Sequence, residues 1–68
     1  MANLKKTFGE RVRETRAAKN LSQAELAEKA KMHQSDLCDI EKGRHAPTLV
    51  TVDRLATALD VPPALLIS

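Results

Sequence analysis

Apolar residues fall into five short periodic groups along the chain, each closed by a polar or proline-marked break, and this spacing predicts five helices and no strands. Leu4, Phe8, Val12 and Thr15 recur at steps of three to four, which predicts a helix from about Leu4 to Lys19 with one narrow apolar stripe. Asn3 is placed to cap its start. Asn20 is placed to end it, because a short amide side chain tolerates the left-handed backbone that closes many helices. Ser22 and Glu25 form a capping box for a second helix, in which hydroxyl and carboxylate each satisfy an N–H left free near the first turn, and Leu26, Ala27 and Ala30 face inward. Only Lys31, Met32 and His33 form the connection after this helix, and Leu37 and Ile40 restart the apolar period at once. A third helix is therefore expected from about Gln34 to Lys42, ended by Gly43. Pro47 marks the next break, Thr48 caps, and Leu49, Val52, Leu55, Ala56 and Leu59 define the inward side of a fourth helix. Pro63 then opens a last short helix through Ala64, Leu65 and Leu66, since the first turn does not need the N–H that proline lacks.

The 68 residues are hydrophobic at 43% of positions, yet Phe8 is the one aromatic. A core of Leu, Ile, Val, Ala and Met suits helix-on-helix packing, so a single all-α domain over residues 1–68 is expected. The net charge of +2 is unevenly spread: residues 1–31 hold eight Lys or Arg against four acids, and the remainder three against five. The basic half is the better match for a polyanion. A lone Cys38 has no internal disulfide partner, and no apolar run is long enough for a membrane span or a signal peptide, which points to a cytoplasmic protein. Ser35, His33 and Asp36 make a poor catalytic set in a chain too short to enclose a dry pocket. His33, Cys38 and His45 lack metal-ligand spacing. No enzyme activity, cofactor, metal or small-molecule ligand is expected.

Each helical residue turns the side chain by about 100°, so with Leu37 and Ile40 inward the far side of the third helix carries Ser35, Cys38, Asp39 and Lys42, with Gln34 on its amino-terminal flank. This face lacks the aromatic or aliphatic anchors of a protein-binding helix. Amides, hydroxyls and charges instead suit the donor and acceptor groups of base edges in a major groove. Two short helices joined by a tight turn, the second exposing such a face, have the layout of a DNA-binding helix-turn-helix.

The run Leu21-Ser22-Gln23-Ala24-Glu25-Leu26-Ala27, the inward Leu37 and Ile40, Glu41-Lys42-Gly43-Arg44, Pro47, and Leu55-Ala56-Thr57-Ala58-Leu59-Asp60-Val61 together resemble the lambda-repressor-like, Cro or XRE-type DNA-binding domain, from about Phe8 to Leu66. The resemblance implies a compact five-helix fold. It implies base contacts from Gln34 and Ser35, with Cys38 and Asp39 on the same face. It implies phosphate contacts from Ser22 and Gln23 at the start of the second helix and from Lys42, Arg44 and His45 after the third. Arg16 and Glu41 match an internal salt bridge of that family. Lys31 stands where glycine is common in the turn, and so must take a left-handed backbone. His33 stands where Ser or Thr commonly caps the third helix, and when protonated it would face a phosphate. Asp39 replaces a residue that is often basic or an amide; a carboxylate there repels phosphates but accepts from cytosine N4. Leu65, Leu66 and Ile67 cannot all point inward, which marks them as a homodimer patch. The implied function is a transcriptional regulator, a repressor on a two-fold symmetric operator. The alternative is a protein-interaction module, an antitoxin or a restriction controller whose role depends on a partner protein.

Overall fold

The computed structural model describes residues 4–67, which form α1 (Leu4–Ala18), α2 (Gln23–Lys29), α3 (Gln34–Glu41), α4 (Leu49–Leu59) and α5 (Pro63–Ile67). The expected cap at Asn3 lies outside the described residues. The predicted caps inside them are present. The Ser22 hydroxyl accepts from the Glu25 N–H (3.0 Å), and the Ser22 N–H donates to Glu25 Oε1 (2.9 Å). That backbone N–H, then the hydroxyl, holds the Glu25 carboxyl below its ordinary pKa. A carboxylate depressed in the folded state favours folding at neutral pH, and the contribution fades as pH falls through the lowered value. Thr48 likewise accepts from the Thr51 N–H (3.1 Å).

Four helices end in the same way, by a left-handed residue followed by two reaching-back hydrogen bonds. After α1, Asn20 (φ 59°) donates to Ala17 and Leu21 to Arg16; after α2, Lys31 (φ 56°) donates to Glu28 and Met32 to Ala27. After α3, Gly43 (φ 75°) donates to Ile40 and Arg44 to Asp39; after α4, Asp60 (φ 58°) donates to Thr57 and Val61 to Ala56. Lys31 thus adopts the backbone expected of it, at a strain of about 1–2 kcal/mol. Arg54 Nη1 reaches its carbonyl (3.4 Å). The residue after the left-handed one packs on the core in three of these closures, as Leu21, Met32 and Val61.

The core joins Phe8 and Val12 of α1 to Leu26, Leu37, Ile40, Leu55, Leu59 and Leu66. Two expectations fail at helix ends. Leu49, read as inward, is 90% exposed. It opens α4, and a helical side chain leans toward the amino terminus, so it projects past the core. Leu66, read as part of an exposed patch, is 0% exposed and fills the core. Its neighbours are turned about 100° away on either side, which leaves Leu65 and Ile67 outside. The dimer patch therefore cannot include Leu66.

Candidate nucleic-acid interface

Glu41, the last residue of α3, is buried, and three side chains or backbone segments converge on its pairing. Arg16 Nε donates to Glu41 Oε2 (2.8 Å) and Arg16 Nη2 to Oε1 (3.0 Å) in a two-pronged ion pair. Arg16 Nη1 donates to the Leu21 carbonyl (2.9 Å), and Gln23 Nε2 donates to Glu41 Oε1 (3.1 Å). The hydrogen bond to Glu41 holds the Arg16 guanidinium above its ordinary pKa despite the opposing effect of burial. This network ties α1, the start of α2 and the end of α3 together, and so fixes the angle at which α3 is presented.

Gly9 on α1 sets the closeness of that contact. A Cβ at this position would overlap the Ile40 carbonyl oxygen and lie 2.9 Å from the Glu41 oxygen. Gly43 performs a similar service one turn on, where its Cβ would sit 3.1 Å from the Lys6 Cα. The amino end of α1, with Lys5 and Lys6, consequently lies beside the loop after α3.

The outer side of α3 is as the 100° spacing requires. Gln34, Ser35 and Asp36 are exposed, Cys38 and Asp39 half-buried, and Lys42 exposed just beyond the helix. Asp39 is paired within the protein: Arg44 Nη1 donates to its Oδ1 (3.3 Å), and His45 Nε2 lies 3.9 Å from its Oδ2.

A profile of the helix-turn-helix domain matches residues 7–66. The chain belongs to the helix-turn-helix domain family. It is 42% identical over 55 residues to the immunity repressor protein of Bacillus phage phi105, covering 81% of this chain but 38% of that protein. It thus spans well under half the length of that relative. It is 36% identical over 62 residues to the control protein C.BamHI of Bacillus amyloliquefaciens, covering 90% of this chain and 76% of that one. Among solved structures it superposes on the restriction-modification controller protein C.AhdI from Aeromonas hydrophila with TM-score 0.88 and 42% identity, over 91% of this chain and 94% of the controller.

Within this helix-turn-helix unit, formed by α2 and α3, several of the residues expected at DNA already have partners inside the protein. Gln23, expected on a phosphate, is half-buried and donates from Nε2 to Glu41, a bond that braces α3. The Ser22 hydroxyl accepts from the Glu25 N–H in its cap, which leaves its O–H as a donor. His33 precedes α3 with extended backbone, but its side chain makes no capping hydrogen bond. Arg44 and His45, expected on phosphates, lie against Asp39. The network position of Gln23 and the need for glycine at position 9 had no local signal in the sequence, because both depend on what α3 places opposite them.

Proposed function

We propose that the protein is a sequence-specific DNA-binding repressor, acting in the cytoplasm as a homodimer on a two-fold symmetric operator with α3 in the major groove of each half-site. The observation that carries this is the exposed polar side of α3, Gln34 and Ser35 foremost, held at a fixed angle by the buried Glu41 network. Gln34 is a bidentate donor and acceptor suited to adenine, and Ser35 offers a hydroxyl to either base type. Lys42 and Arg44 supply phosphate contacts. A two-fold dimer places its half-sites about 34 Å apart.

The surface assigned to a second copy is apolar. Leu4, Leu49 and Ile67 line one groove of about 390 Å³ with Pro47, Thr48 and Val52, and Val50 and Leu65 are exposed as well. The likeness to two restriction-control proteins supports one biological setting in particular, control of a restriction–modification system. That setting keeps DNA as the ligand and does not require a partner protein.

Fluorescence anisotropy on labelled duplex DNA across a salt series tests the proposal. Four phosphate contacts per dimer give a logarithmic slope of about 3.6, or roughly a hundredfold loss of affinity between about 50 and 200 mM salt. Affinity that does not change with salt would contradict it.

A further inference from the structure

We propose that Asp39 is a specificity-determining residue that serves as an internal stand-in for a DNA phosphate, holding Arg44 and His45 until a matching base takes over its carboxylate. This rests on the DNA-binding reading of α3.

The arrangement is built by the backbone. The Arg44 N–H donates to the Asp39 carbonyl (2.9 Å) in the closure that ends α3, which sets the Arg44 side chain over the Asp39 carboxylate. In the other three closures of this type the corresponding residue is Leu21, Met32 or Val61, each packed on the core. Here it is a cation, 64% exposed and joined to a carboxylate on the outer side of α3. His45 stands 3.9 Å from the other carboxylate oxygen and adds a second positive charge when protonated.

An exposed ion pair of this kind is weak, so it exchanges readily against a phosphate. Asp39 opposes that exchange. Moving Arg44 to the DNA backbone leaves its carboxylate without a partner amid the phosphates. A cytosine beneath Asp39 removes the obstacle, because its N4 amine donates to the freed oxygen. Base identity under α3 thereby controls how firmly the following loop grips the backbone. Non-matching DNA is disfavoured by an unpaired charge, which discriminates more sharply than a missing attraction alone.

The test compares wild type, Asp39→Asn, Arg44→Ala with His45→Ala, and the combined variant, each binding a duplex enriched from a random pool by the wild type and a scrambled duplex of equal composition. Arg44 and His45 are exposed and Asp39 is half-buried, and circular dichroism confirms folding of each variant. Asp39→Asn is expected to bind the scrambled duplex about fivefold more tightly, the scale of one exposed ion pair. Its salt slope there should steepen by about 0.9 for each cation released to a phosphate. It should gain nothing on the enriched duplex. In the background lacking Arg44 and His45 the gain should vanish. If it persists in full there, Asp39 acts only by through-space repulsion and the proposal is overturned. An unchanged affinity and slope for Asp39→Asn overturns it equally, while wild-type preference for the enriched duplex would leave the DNA-binding reading intact. Failure of the wild type to bind either duplex contradicts both.

Discussion

Gly9→Ala lowers stability by roughly 2 kcal/mol net, even though alanine is the better helix former. The added methyl meets two backbone carbonyls, of Ile40 and Glu41, and neither is the movable end of a side chain. Overpacking of this kind costs about 1–3 kcal/mol, more where the neighbour is rigid, against a propensity gain of about 1 kcal/mol. A core of this size sustains only about 3–5 kcal/mol in all, so the variant is substantially weakened. Thermal unfolding followed by circular dichroism should show a midpoint about 10 °C lower. A midpoint equal to or above wild type would mean that α1 and α3 do not approach as described.

Glu41→Ala and Arg16→Ala are each expected to cost about 3 kcal/mol, because each leaves its partner without a counter-charge in a site where Glu41 has a side-chain exposure of 4% and Arg16 of 18%. Replacing both together, as Arg16→Met with Glu41→Leu, should recover most of the loss, since two apolar groups leave no stranded charge. Denaturant titration of the two single variants and the double variant closes the comparison. Single losses below about 1 kcal/mol would place the pair among ordinary surface ion pairs. The apolar double variant also separates stability from function. It loses the bond from Gln23 to Glu41 and with it the bracing of α3, so DNA affinity should stay weak after stability is restored.

Local signals in the sequence were sufficient for the helices and their ends. Ser22 with Glu25, Thr48, Asn20 and Gly43 each act on backbone groups within a few residues, and each does what its chemistry predicts. The Arg16–Glu41 pair came from family likeness, since no local rule links residues so far apart. What could not be read depends on three-dimensional placement. Leu49 and Leu66 exchange their expected environments because amphipathic periodicity does not say where a helix ends relative to the core. Gln23 turns inward because α3 brings a buried carboxylate within 3.1 Å of its amide. Asp39 is paired within the protein because the closure after α3 folds Arg44 back onto it, a contact that depends on the turn's geometry and not on local pattern.

Selection of bound duplexes from a random DNA pool tests most directly whether the outer side of α3 recognises base identity. Wild type should enrich an inverted repeat whose half-site centres are about one helical turn apart. Gln34→Ala, folded as wild type, should enrich the same repeat with preference lost at one base pair per half-site, at a cost of about 1–3 kcal/mol on the original sequence. A pool that shows no enriched motif, or an unaltered motif for Gln34→Ala, would contradict the assignment of base recognition to this helix.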